Sequence, residues 1–245
     1  MRDFLSRVSV DWHQTLDQIL LLARNSGRNG LIVFDLDSTV FDNRPRQARI
    51  VREFGAAKGI PELARCQPWH FSSGWDLRGA LVECGLSKER SDELYASLKP
   101  FWQERFFTSE YCKEDIEVVG APRYLHALDY VQARVIYVTG RHEGMRLGTE
   151  ACIERCRMPM PSNGGQVQLL MKPTLAEDDD AFKRHAHAQL RGMGTVLAAF
   201  DNEPTHINDY AVKFENAIPV HLATDHSGRP VELHPRVVSI PHFAY

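Results

Sequence analysis

Leu31-Ile-Val-Phe-Asp35-Leu-Asp37-Ser-Thr39 is the stretch on which the fold turns. Four consecutive apolar residues, three of them β-branched or aromatic, read as a short buried strand, and the run ends abruptly in a carboxylate. Four more runs have the same character, at residues 135–138, 166–171, 196–200 and 218–222. Helical spacings lie between most of them: Leu16, Ile19, Leu20 and Ala23 before the first run, Tyr124, Leu125, Leu128 and Val131 before the second, and further patterns over 145–156, 178–191 and 204–214. Pro204 falls near a first helical turn, where proline is tolerated. The acidic run 177–180 marks a helix N-terminus, where negative charge is favoured.

Strand and helix in alternation predict an α/β fold, a doubly wound parallel sheet with helices on both faces. Ligands of such sheets sit beyond the carboxyl ends of the strands. Three runs end in polar clusters there: Phe34 leads into Asp35, Val138 into Thr139-Gly140-Arg141, and Phe200 into Asp201-Asn202-Glu203. One polar strand end is ordinary; three of these residue types in this order are not.

About a hundred residues separate the first and second runs, against roughly 30 for a simple crossover. The excess shows helical spacing (Ile50, Val51, Phe54; Leu77, Leu81, Val82; Leu94, Leu98) and little strand signal. A mostly helical insert over 47–117 is expected, with 1–46 and 118–245 forming the core. Within it, Trp69-His70-Phe71 with Trp75, and Phe101-Trp102 with Arg105, Phe106 and Phe107, form two aromatic groups, which are expected to be core, with the lining of a substrate pocket as the alternative.

The chain has 245 residues, 43% hydrophobic and 25% charged, with a formal net charge of −3. That composition is ordinary for a folded domain and argues against a broad nucleic-acid surface, which needs clustered excess Lys and Arg. No apolar run approaches the roughly 18–20 residues of a membrane span, and residues 1–7 lack a signal-peptide apolar region, so a cytoplasmic location is expected. Five cysteines at irregular spacing suggest neither a disulfide framework nor a CxxC zinc pattern; Cys152 and Cys156 are one turn apart, but two thiols alone make a poor metal site. No histidine is assigned to metal, and His185 and His187 point to different faces of their helix.

An apolar strand ending in Asp35-x-Asp37-x-Thr39, a second ending in Thr139-Gly140-Arg141, a lysine, and a third ending in Asp201-Asn202 together resemble the haloacid dehalogenase superfamily, in the same order. The resemblance covers residues 27–46 and 118–225. It implies a Rossmann-like core with a helical cap inserted after the first strand, Mg2+ as cofactor, and metal ligands from Asp35, the backbone carbonyl of Asp37, and the Asp201-Asn202 pair. Dehalogenating members lack the second aspartate, so Asp37 favours phosphoryl chemistry.

The residue types suit that chemistry. A carboxylate such as Asp35 splits phosphoester displacement into formation and hydrolysis of an acyl phosphate, and Mg2+ offsets the anionic charge. Asp37 is placed to protonate the leaving alkoxide and then deprotonate water. Thr139 can donate to the transferring phosphoryl group, and Gly140 lets the backbone approach. Arg141 is a candidate for phosphate or substrate, with a solvated loop arginine as the alternative; Arg44 is a weaker candidate of the same kind. Two lysines lie in the right interval, Lys172 before Pro173 and Lys183 in the first turn of the helix 178–191; Lys183 is preferred. The expected activity is Mg2+-dependent hydrolysis of a small phosphorylated metabolite. A phosphotransferase or phosphomutase using the same aspartate is the alternative, and a silent Mg2+-binding domain is a third.

Overall fold

The computed structural model describes residues 4–244; Met1–Asp3 at the start of the chain and Tyr245 lie outside the described residues. The chain divides into two compact units. One comprises residues 1–41, 117–143 and 153–245, the other 42–116 and 144–152.

The first unit is built on a six-stranded sheet in which every neighbouring pair is parallel. In chain order its strands are β1 (Gly30–Phe34), β4 (Arg134–His142), β5 (Val167–Lys172), β6 (Thr195–Asp201), β7 (Ile218–Leu222) and β8 (Val238–Ile240), and across the sheet they run β5-β4-β1-β6-β7-β8. All five residues of β1 are buried. The chain winds from β1 outward through β4 to β5, then crosses to build β6, β7 and β8 on the other side, so the winding reverses beside β1, where such sheets bind ligands.

Four connecting helices carry apolar stripes onto the sheet: α1 (Trp12–Ser26), α6 (Ala121–Tyr130), α8 (Asp179–Met193) and α9 (Pro204–Lys213). The acidic run caps α8 as its charge suggests: Asp178 accepts the Ala181 N–H at 2.8 Å, and Asp179 and Asp180 fill the first turn. His187 is buried and His185 exposed on this helix. The sixth strand is a difference from the sequence reading. It is three residues long and follows an irregular stretch after β7, too little for periodicity to register.

The carboxyl-terminal tail also belongs to this core. Phe34 and Phe200 stack in parallel at 4.5 Å, and Phe243 packs on both and on Tyr124. Gly120 permits it: its φ is +82°, and a Cβ there would lie 2.4 Å from the Ala244 nitrogen, closer than packed atoms allow.

The second unit is helical: α2 (Arg44–Lys58), α3 (Leu77–Glu83), α4 (Lys88–Phe106) and α5 (Ser109–Cys112), with the start of α7 (Arg146–Arg155). Its core gathers Ile50, Val51, Phe54, Leu77, Leu81, Leu98 and Trp102. The units divide at 41/42 and 116/117, a few residues from the expected 46/47 and 117/118, and 144–152 clusters with the helical unit because Ser109 binds Gly144 and Gly148. Where the chain leaves and re-enters the sheet-bearing unit, β2 (Phe41–Asp42) and β3 (Ile116–Glu117) pair as a two-stranded ribbon.

A buried ion pair anchors the helical unit. Arg46 Nε and Nη2 donate to the two Asp115 oxygens at 2.9 and 2.7 Å, Nη1 donates to the Phe106 carbonyl, and the guanidinium lies 4.1 Å from the Phe106 ring centroid. Of the two aromatic groups, Trp102 and Phe106 stack within the core at 4.4 Å, as expected. Trp69 and Trp75 are 74% and 65% exposed, and only Phe71 of that group is buried.

Candidate active site

Register brings the strand ends together. Phe34 is level with Tyr137 on β4 and with Phe200 on β6, so Asp35, Val138 and Asp201 follow at one height. The Asp35 N–H donates to the Phe200 carbonyl at 2.9 Å, extending the ladder to the carboxylate itself.

Lys183 ties these ends. It reaches from the first turns of α8, and its ammonium donates to Asp35 Oδ1 at 2.6 Å, to the Val138 carbonyl at 2.8 Å and to Asp201 Oδ2 at 3.0 Å. Those three acceptors match its three protons. All three side chains are at least nine-tenths buried. Burial works against the Lys183 charge, but the Asp201 and Asp35 carboxylates outweigh it and hold the ammonium above its ordinary value. One cation between two buried carboxylates leaves a surplus negative charge. Asp201, backed by Lys183 and His206, stays well below the usual carboxylate range despite its burial. Asp35 absorbs the conflict: burial, with Asp201 nearby, pushes it up to about 7 against the pull of Lys183.

Lys172 lies elsewhere. Its ammonium donates to Asp179 at 2.6 Å and to the Leu175 carbonyl at 3.3 Å, pinning the start of α8. Gly140 makes room for that pair, since a Cβ there would lie 3.2 Å from the Asp179 carboxylate.

Arg141 departs from the solvated-loop reading. Its side chain is 2% exposed, and Nε and Nη2 each donate at 2.8 Å to a different oxygen of Asp37. It is not a solvated loop arginine: its planar guanidinium matches the Asp37 carboxylate edge. The Arg141 N–H donates to the Thr139 hydroxyl oxygen at 3.2 Å, which orients the buried Thr139 and leaves its own proton to donate. Arg44, in the helical unit at the start of α2, is 46% exposed at its side chain and pairs with Asp42 at 2.6 Å.

The turn after Asp35 is tightly made. Ser38 sits in the left-handed region at φ +58°, unusual for a residue with a Cβ. The Ser38 N–H donates to the Phe41 carbonyl, the Thr39, Val40 and Phe41 amides all converge on the Leu36 carbonyl, and the Thr224 hydroxyl donates to the Ser38 carbonyl. The Thr39 hydroxyl donates to Asn202 Oδ1 at 3.2 Å, and the Asn202 amide donates to the Asp225 carbonyl at 2.5 Å. One further residue belongs to the site without having been flagged by any motif. His206 lies 3.6 Å from Asp201 and 2.8 Å from Asp180, and its proximity to Asp201 is set by the helix rise of α9, which only the fold reveals.

No family model and no curated protein matches the chain. Solved structures do match its fold. A phosphatase-type protein from Clostridium difficile aligns with TM-score 0.53 at 9% identity over 87% of this chain and 94% of its own. Mycobacterium tuberculosis protein tyrosine kinase A gives 0.52 at 18%, over 85% and 92%. A haloacid dehalogenase-like family hydrolase from Streptococcus pneumoniae gives 0.50 at 10%, over 88% and 94%. The chain has the haloacid dehalogenase-type α/β fold, with its parallel six-stranded sheet.

Proposed function

We propose that this chain is a Mg2+-dependent phosphomonoesterase in which Asp35 is the nucleophile and the helical unit is a cap. The observation that carries this reading is the buried Asp35–Lys183–Asp201 cluster at the switch point of the sheet. A structural ion pair would balance its charges; this one holds two carboxylates on a single ammonium and strains the one that stands at the end of the central strand. The surplus negative charge and the all-oxygen donor set fit a hard cation: Asp35, the Asp37 backbone carbonyl, Asp201 and Asn202 would hold it, the amide oxygen of Asn202 keeping a second lone pair beside its bond from Thr39. When bound, Mg2+ neutralises the carboxylates and polarises phosphoryl oxygens.

An Asp35 carboxylate oxygen attacks phosphorus in line, forming the O–P bond as the bond to the ester oxygen breaks. Asp37, which enters this step protonated, delivers that proton to the departing alkoxide and is left as the carboxylate that Arg141 holds. Asp37 is held by Arg141 through both oxygens, so it transfers a proton only along a direction that the guanidinium leaves open. Water then attacks the aspartyl phosphate, Asp37 takes its proton, and phosphate leaves with Asp35 regenerated. Lys183 holds Asp35 in place and offsets charge on the phosphoryl oxygens, and the Thr139 hydroxyl donates to one of them. The mostly helical insert between the first two sheet strands supports a small phosphorylated metabolite as substrate, since inserts of this kind sequester small molecules from bulk water.

The test is a screen of phosphorylated metabolites with and without Mg2+, with Asp35→Asn as control. Release of phosphate by the parent chain, abolished by Asp35→Asn and by chelation, is expected. Activity undiminished in Asp35→Asn would overturn the mechanism.

A further inference from the structure

The helical unit contains a cluster that the proposed chemistry does not use. Cys66, His70 and Cys84 present one ligand atom each, all within 4.8 Å of one another, and among the described residues they are the one group of three or more His, Cys, Asp or Glu side chains so placed. Cys66 is fully buried; His70 and Cys84 are half-buried. They come from three places: Cys66 closes a 3-10 turn, His70 ends the next one, and Cys84 caps α3. We propose that Cys66, His70 and Cys84 form a binding site for a thiophilic divalent cation of the Zn2+ class, held by two thiolates and one imidazole with a fourth position open.

The donor set selects the cation. Two sulfurs and a nitrogen suit a borderline-soft ion with tetrahedral preference, and repel Mg2+, which demands oxygen. Two thiolates and a divalent ion sum to zero charge, which a partly buried site tolerates. Each thiol acts on the other, lowering Cys84 and raising Cys66, and the Arg52 guanidinium, bound to the Cys66 carbonyl at 2.8 Å, favours thiolate. A disulfide would need only the cysteines; all five are free in the structure, and the imidazole adds a third donor that a disulfide cannot use.

Binding has a built-in local cost. The Gln67 N–H donates to His70 Nδ1 at 2.8 Å. If Nδ1 becomes the ligand, its lone pair goes to the metal; if Nε2 does, the ring proton moves to Nδ1 and opposes the same N–H. Loading therefore releases the Gln67 amide whichever nitrogen binds, while tying Cys66 to Cys84 across the loop that carries the exposed Trp69 and Trp75.

The reduced, chelator-stripped chain is titrated with Co2+ in excess Mg2+. One equivalent should produce a sulfur-to-cobalt charge-transfer band and tetrahedral visible bands, removed by Zn2+ and unaltered in Asp35→Asn, which separates this site from the carboxylate one. Cys66→Ser and Cys84→Ser should each abolish the charge-transfer band or halve its sulfur contribution, Cys112→Ser should leave it intact, and His70→Ala should weaken Co2+ binding at least about tenfold. Because Cys66→Ser alters a buried position, the parent chain supplies an independent readout: Zn2+ should protect Cys66 and Cys84, identified by peptide mapping, from alkylation. A parent chain with reduced thiols that gives no charge-transfer band, a band surviving the loss of both Cys66 and Cys84, or protection mapping to other cysteines would overturn the proposal.

Discussion

Replacing Lys183 by Met keeps most of the side chain's length and removes its charge, so the change isolates what the ammonium does. In the parent it satisfies Asp35 at 2.6 Å, Val138 at 2.8 Å and Asp201 at 3.0 Å. Its loss leaves Asp35 without its ammonium, Asp201 with only His206 beside it, and a buried carbonyl without that donor. Removing one partner from a buried ion pair costs about 3–5 kcal/mol, and metal-free Lys183→Met should be destabilised by that amount at neutral pH, a fall of roughly 10 °C in Tm for a chain of this size. The deficit should depend on pH in a definite direction. With the ammonium gone, both carboxylates titrate above their unfolded values, so the folded variant binds more protons than the unfolded chain and gains stability as pH falls. Unfolding of parent and variant at pH 8 and pH 5, without metal, measures this; the gap should narrow at pH 5. Turnover should fall by about 10²–10³, the effect of deleting one preorganised charge partner, whereas Lys172→Met should affect mainly stability. A deficit under about 1 kcal/mol, a gap independent of pH, or a larger loss of turnover in Lys172→Met would refute the reasoning.

Arg141→Lys keeps the charge but not the two-pronged hold on Asp37; kcat should fall about 10- to 100-fold through misplacement of the proton donor, with KM nearly unchanged, and steady-state kinetics showing a raised KM at constant kcat would instead mark a substrate contact. In the helical unit, Arg46→Met should cost about 3–5 kcal/mol by stranding Asp115, and Arg46→Met with Asp115→Leu should recover most of it; denaturant unfolding of the four-member cycle reads this out. His187 is buried against Tyr210 with neither ring nitrogen hydrogen-bonded among the described residues, and burial followed by nearby Lys183 lowers it to about 4. Its unfolded form takes a proton first, so stability should decline as pH falls from about 6.5 toward 4, by up to about 3 kcal/mol from this group, and His187→Phe should flatten that part of the pH–stability curve.

The core was legible because each strand end carries a residue type that a buried parallel sheet does not otherwise call for at that point, and Asp35, Thr139 and Asp201 could be placed without coordinates. The choice between lysines rested on placement within a helix, and distance explains why it matters. Lys172 closes β5, with β4 standing between it and β1, whereas α8 packs on β4 and β6 and can lower Lys183 between their ends. The partner of Arg141 was not legible, since no pattern says whether a guanidinium faces a ligand or the neighbouring carboxylate. Cys66, His70 and Cys84 have no recognisable spacing, because two turns and a helix cap bring them together. Phe243 lies in a stretch that carries no periodic signal at all; its place in the aromatic stack depends on Gly120, more than a hundred residues earlier.

The paired strands β2 and β3 bear on the order in which the chain assembles. Joining the ends of a flexible segment as long as 42–116 costs on the order of a few kcal/mol in closure entropy, and the parallel pairing of β1 with β4 cannot form until that cost is met. Once the helices have folded, the ribbon holds the two ends of the segment together as a hairpin turn would. The effective sequence separation between β1 and β4 then shrinks, and early helix formation should speed the slow parallel pairing. The same closure makes the segment exchangeable: a different helical unit spliced between Phe41 and Glu117 would leave the sheet's connectivity unaltered, provided its own ends meet as closely.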